Sequence, residues 1–216
     1  MKTMSEKPEE MPDNTTNRPL VTFALFAYKQ EEFIREAVEG AFAQTYEPLV
    51  IILSDDCSSD RTFKFIQEIA DAYAGPHRII VLRNTINLGT TLHAKMAFAE
   101  ALGKLFVVVA GDDISKPDRV SILVNTWTGA GRPEGAVHSS RETFRKGQII
   151  AVEPAKHHRF SDRLLEGFAQ SYWMPAAALT CAYTRGVFER FAPMPGGSSI
   201  SHLYAAIGRP IVRIYN

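Results

Sequence analysis

Cysteine is scarce in this chain: Cys57 and Cys181 are the only two among 216 residues. They lie far apart, in neither metal-type nor redox-type spacing, which argues against a disulfide scaffold and for two core or near-core thiols in a reducing compartment. An excess of charge of one sign is missing as well. With 24 Lys plus Arg against 24 Asp plus Glu, there is no global field to gather nucleic acid, and none is expected as a partner. Long hydrophobic runs are also absent. No stretch approaches the ~20 apolar residues that span a bilayer, so any membrane contact is expected to be peripheral. Residues 1–19 are polar and contain no apolar run, which predicts a disordered lead rather than a signal peptide or an anchor. The localisation expected from these absences is cytoplasmic, with peripheral contact at the inner face of the membrane left open.

What is present fits an ordinary α/β domain. Hydrophobic residues make up 45% of the chain and charged ones 22%, and residues 20–216 are long enough to bury a core as one unit. From residue 20 to 110, short apolar runs alternate with amphipathic ones, the pattern of βαβ units and a mainly parallel sheet flanked by helices. Strands are expected at 20–26, 50–53, 79–82 and 105–110. Helices are expected at 31–43, with Phe33, Ile34, Ala37, Val38, Ala41 and Phe42 on one face, after residues 58–60, and at 91–102. Beyond Pro117 the regularity loosens. A helix to about Trp127, a Gly/Pro loop at 129–135 and a hairpin between Val137 and Val152 turning at Lys146-Gly147 are expected. Residues 141–163 carry six Lys or Arg against three Asp or Glu. This reads as a solvated face first and as a phosphate- or membrane-facing patch second.

In an open α/β sheet, ligands bind beyond the carboxyl ends of the strands. The first strand ends in Ala27-Tyr28-Lys29-Gln30, with no glycine. Both the dinucleotide fingerprint and the P-loop need glycines there to bring backbone N–H groups to phosphate, so a nucleotide would have to be held by side chains. The second ends in Asp55-Asp56-Cys57-Ser58-Ser59-Asp60, where one carboxylate could accept hydrogen bonds from a base or ribose and Asp60 could equally cap the next helix. The fourth ends in Gly111-Asp112-Asp113 after an apolar run. Two adjacent carboxylates leaving a buried strand repel one another and lose hydration, and a hard divalent cation (Mn or Mg) neutralises them naturally. The Asn87-Leu88-Gly89 loop could by itself be a plain turn.

In this order, the four strand-end motifs resemble the inverting GT-A glycosyltransferases of family 2. Those proteins carry a Tyr after the first strand, an Asp-Asp-x-Ser-x-Asp segment after the second, an Asn-x-Gly loop and a Gly-Asp-Asp or Asp-x-Asp metal motif after the fourth. The resemblance covers residues 19–117, with looser likeness at Val137-His138-Ser139 and over 172–195. It implies a nucleotide-sugar donor, UDP-linked, bound by Ala27, Tyr28, Asp56, Asn87, Gly89 and Asp112. The metal would be held by Asp113 with Asp112, and residues 20–117 would form the nucleotide-sugar half. Residues 118–216 would form the acceptor side, for a glycan or lipid-linked hydroxyl.

The chain departs from the family pattern in places. Lys29 stands where the family has Asn, while Ala94 and Lys95 stand where it often has Arg and Asn. The family also supplies a catalytic base, usually within Glu-Asp, after a segment like Phe191-Ala192-Pro193-Met194-Pro195. Here no acidic residue follows Glu189. His202 could serve in principle, since imidazole as a group titrates in a suitable range, although a surface histidine is the plainer reading, and the base stays unassigned. Two readings follow: an enzyme transferring a sugar with inversion, or a catalytically incomplete homologue that binds nucleotide sugar and metal. A nucleotidyltransferase would want a glycine-rich first loop, which residues 27–30 lack.

Overall fold

The computed structural model describes residues 18–145, 148–153 and 180–186. The expected alternation is present. Strands β1 (Val21–Ala27), β2 (Leu49–Asp55), β3 (Arg78–Arg83) and β4 (Leu105–Ala110) alternate with helices α1 (Ile34–Phe42), α2 (Thr62–Asp71) and α3 (Gly89–Ala99). Helix α4 (Arg119–Gly129) follows, then short strands β5 (Ala136–His138), β6 (Arg141–Arg145), β7 (Gln148–Glu153) and β8 (Cys181–Thr184). The main sheet has the order β3-β2-β1-β4-β8-β5, with its first four strands parallel and β8 antiparallel to both neighbours. A mainly parallel sheet with helices packed on it is the α/β architecture expected of the sequence.

β1, β2 and β4 are apolar along nearly their whole length because both of their faces are covered. Val21, Phe23 and Leu25 of β1, with Ile51, Leu53, Leu105 and Val107, meet Ile34 and Val38 of α1, Ile66 of α2 and Leu123 of α4. The intervening residues Ala24, Ile52, Phe106 and Val108 face the other way, onto Ala97 and Phe98 of α3. This two-residue alternation decides which side of the sheet each strand-end residue faces.

Two expectations are corrected. Phe33 does not join the buried face of α1 but is 52% exposed, because the helix starts one residue later and Phe33 sits in the turn bonded to the Gln30 carbonyl. The hairpin does not begin at Val137. β5 pairs with β8 in the main sheet, Val137 opposite Ala182, and only β6 and β7 form a separate ribbon. Val137 is buried and apolar in a short segment, so a longer-range partner captured it. Cys181 is buried and Cys57 partly so, as expected of core or near-core thiols.

One glycine sets the spacing of β1 and β4. The Gly103 N–H donates to the Thr22 hydroxyl (2.9 Å), and a Cβ there would collide with the Thr22 nitrogen and the Val21 backbone. Because backbone cannot move aside as a side-chain tip does, Gly103→Ala is expected to destabilise the fold by about 1–3 kcal/mol in chemical denaturation. A loss near zero would show that the β1–β4 junction tolerates displacement.

Candidate functional site

The register of β1 places Ala27 opposite Asp55, and Phe26 opposite both Ser54 and Ala110. The chain therefore leaves all three strands at one level. The exits are bonded to one another: Asp56 N–H donates to the Ala27 carbonyl (2.9 Å) and Gly111 N–H to the Phe26 carbonyl (2.8 Å). A Cβ on Gly111 would stand 3.0 Å from Ala27 Cβ and from Ile34 Cδ1, so this glycine lets β4 exit against β1.

At the β1 exit, Ala27 is buried and Tyr28 is 42% exposed. Lys29 adopts φ 52°, with its N–H on the Ser58 hydroxyl (2.9 Å) and its Nζ 5.2 Å from the Tyr28 ring centre. Gln30 N–H donates to Thr62 Oγ1 (2.8 Å), so the turn that presents Tyr28 is tied at two points to the segment that starts α2.

Asp55 and Asp56 are neighbours with different tasks. Asp55 is fully buried, and its Oδ2 accepts the Ser58 N–H (2.9 Å) and lies 3.5 Å from Arg83 Nε. Asp56 is 2% exposed. Its Oδ1 accepts from Asn84 Nδ2 (2.7 Å) and the Leu88 N–H (2.9 Å), and its Oδ2 from the Gly89 N–H (2.9 Å). Asp56 thus clasps the loop that carries Asn87 and Gly89, a contact that sequence reasoning did not foresee. Gly89 has φ 72° and open space where a Cβ would stand, so its glycine answers to backbone conformation rather than to crowding. Asn87, which is exposed, accepts the same Gly89 N–H through Oδ1 (3.0 Å).

Asp60 holds the turn that leads into α2. Its Oδ1 accepts the Thr62 N–H (3.0 Å) and its Oδ2 the Glu31 N–H (3.4 Å). Burial alone would raise its pKa, but the hydrogen bond with the Thr62 side chain, followed by those from the Thr62 and Glu31 amides, outweighs it and the net shift is downward.

Asp112 is exposed and Asp113 half-buried. Burial first, and the Asp112 charge second, push the Asp113 pKa up against the opposing pull of Arg119 and Arg141. A carboxylate in that position gains from a neutralising cation as it would from a proton. The segment behind it is anchored to α1: the buried Gln44 side chain donates to the Gly40 and Lys116 carbonyls and accepts the Val120 N–H, and Thr45 N–H bonds the Pro117 carbonyl.

Sequence reasoning also missed His93, on the inward side of α3. It is 4% exposed, with Nε2 2.6 Å from Ser54 Oγ and its ring edge-on to Phe26 at 5.1 Å. Burial lowers its pKa, against the charges of Asp56 and Asp55. The available signal was a lone polar residue among the inward-facing Ala94, Ala97 and Phe98. His202, together with most of the basic stretch 141–163, lies outside the described residues. Arg141, within them, pairs with Glu153 at 2.8 Å.

Residues 22–174 match the family model described as Glycosyl transferase family 2. The chain belongs to that family. Its relatives include the succinoglycan biosynthesis protein ExoO of Rhizobium meliloti, 26% identical over 172 residues, which are 80% of this chain and 48% of that protein. Among solved structures it is similar to the mannosyltransferase PcManGT of Pyrobaculum calidifontis in complex with GDP-Man and Mn2+, at TM-score 0.64 and 20% identity, over 93% of this chain and 55% of that one. It is also similar to residues 1–349 of S. aureus TarS in complex with UDP-GlcNAc, at TM-score 0.64 and 13% identity, over 89% and 55% of the two chains. The fold is that of the GT-A glycosyltransferases. The chain spans about half the length of these relatives.

The raised pKa of Asp113 has a consequence for stability. A carboxyl whose folded pKa lies above its unfolded value stabilises the fold while protonated, and that contribution is lost as pH rises through the folded pKa. At pH 7, in the absence of divalent cations, Asp113→Asn is therefore expected to raise the melting temperature by roughly 1–3 °C. The gain should shrink as the pH falls through the raised folded-state pKa and vanish below the unfolded-state pKa of an ordinary aspartate. A lower melting temperature at pH 7 would show that charged Asp113 is well paired in the fold.

Proposed function

We propose that this chain is the donor-binding part of an inverting, metal-dependent glycosyltransferase that moves a sugar from a nucleotide donor, UDP-linked, to a hydroxyl of a glycan or lipid-linked acceptor. One observation supports this reading above the rest. Three parallel strands release Tyr28, Asp56 and Gly111-Asp112-Asp113 at one level of the sheet, so a base-sized aromatic face and a pair of acidic oxygens share one edge.

In this reading Tyr28 offers its exposed ring to the base, with Lys29 against the same ring. A carboxylate has about four lone-pair directions, and Asp56 uses three on the loop, which leaves capacity for one N–H of a base. Asp112 would reach the ribose or the metal shell, and Asp113 would hold the cation.

The donor set fits a hard cation: two carboxylates, one of them half-buried and short of compensation. Among the described residues no group of three or more His, Cys, Asp or Glu side chains gathers, so the remaining oxygens would come from the donor diphosphate and water. When bound, the cation would stabilise the charge that grows on the departing nucleoside diphosphate. The solved relatives with Mn2+ and GDP-Man, and with UDP-GlcNAc, support a metal and a sugar nucleotide for this fold, and the succinoglycan protein supports a polysaccharide product. Among the described residues no helix is long and apolar enough to cross a membrane. Contact with a lipid-linked acceptor would then fall to surface segments, of which the basic stretch 141–163 is the proposed one.

Calorimetric titration of UDP, with and without Mn2+, tests the donor site on the native chain and on Asp113→Ala. Binding that requires the metal and is lost in the variant is expected. If UDP fails to bind under either condition, a UDP-linked donor is excluded. Slow release of UDP from UDP-glucose or UDP-GlcNAc should then separate a competent transferase from a homologue that only binds.

A further inference from the structure

We propose that His93 is a positioning residue of the donor site: it locks the start of α3 to the exits of β1 and β2, and so holds the 84–89 loop in the form that Asp56 clasps. Three observations carry this. First, Phe26 and Ser54 are register partners on adjacent strands and both face α3, and His93 touches both, edge-on to the Phe26 ring and 2.6 Å from the Ser54 hydroxyl. Second, each of these two residues stands immediately before a ligand-presenting segment: Phe26 before Ala27-Tyr28 and Ser54 before Asp55-Asp56. Third, His93 follows Gly89 by one helical turn, so the residue that bonds Ser54 and the two amides that Asp56 accepts lie together at the start of α3.

The plainer alternative is that His93 merely fills the core beside Ala94 and Ala97. A filler would be apolar, because burying an imidazole removes it from water and only a hydrogen bond offsets that cost. Here the ring finds one partner, on the residue next to the two acidic side chains. A buried polar pair of this kind has one good geometry where an apolar contact has many, so it sets how far α3 can slide along the sheet. Burial keeps the ring below the ordinary histidine pKa despite the nearby Asp56 and Asp55 charges, so a neutral imidazole does the locking.

The ligand in this inference is the nucleotide of the reading above, but the lock can be tested without it. Amide hydrogen exchange on the free protein reads the Leu88 and Gly89 N–H groups directly. In His93→Ala their exchange is expected to quicken about tenfold, the effect of one lost hydrogen bond, while the amides of β1 and β2 keep theirs. Ser54→Ala should give the same result, the double variant no more than either single, and His93→Gln should stay near the native rate because it can still reach Ser54. UDP titrated in the presence of Mn2+ should bind about tenfold more weakly to His93→Ala and nearly normally to His93→Gln. Unchanged exchange at Leu88 and Gly89 in His93→Ala would overturn the proposal. So would a uniform quickening of the sheet amides in both Ser54→Ala and His93→Gln, which would mark His93 as general core. If the native chain binds no UDP, the donor reading fails while the exchange result still decides the role of His93.

Discussion

The parallel pairing of β1 with β2 on one side and β4 on the other is the constraint on which the rest of the structure depends. Parallel strands have evenly spaced, slanted hydrogen bonds, and the strict two-residue alternation of side chains allows no half-steps. A slip of one residue in β2 would send Ile51 and Leu53 to the α3 side and turn Ser54 and Asp56 away from His93 and the 84–89 loop. The register is held by apolar burial on both faces, the strongest cooperative term available to a chain of this composition. The acidic residues at the strand ends add little to that burial. They are positioned by it.

Once the exits are level, hydrogen bonding at the sheet edge assigns the polar groups. Adjacent acids at the β2 exit face opposite sides, Asp55 toward the Ser58 turn and Arg83, Asp56 toward the loop that opens α3. The alternation that sorts the core therefore also keeps these two carboxylates apart. Asp112 and Asp113 follow a strand that has already ended, where alternation no longer separates them, and one charge weighs on the other. That difference explains why the first acidic pair is compensated by neighbouring groups of the protein and why the second is the pair proposed to hold a cation.

The strand ends were legible from sequence because they combine two local signals, an apolar run and an abrupt change to acidic or small residues. The order of elements through β4 followed from the same signals, within three residues at each end. What stayed illegible depends on contacts between distant segments. That Asp56 also holds its own loop is not visible until Asn84, Leu88 and Gly89 are seen to converge on it. Val137 reads as one arm of a local hairpin until β8 pairs with its segment. Phe33 matches the helical period of α1 yet falls outside the helix, because periodicity locates a face better than it locates a boundary.

Gln44 shows how the acidic motif of β4 is kept in place at a distance. Its side chain bonds Gly40 within α1, Lys116 beyond the Asp112-Asp113 pair and Val120 in the first turn of α4, while its carbonyl takes the His77 ring at 2.8 Å. A chain leaving a strand with two like charges would otherwise be free to swing toward water and relieve their repulsion. Anchoring it a few residues later, through a buried amide whose donors and acceptor are used, restricts that relief and keeps Asp113 half-buried. The raised pKa of Asp113 is thus a product of the whole α1–β4–α4 corner. Its affinity for a cation would be set there as much as by the two carboxylates themselves.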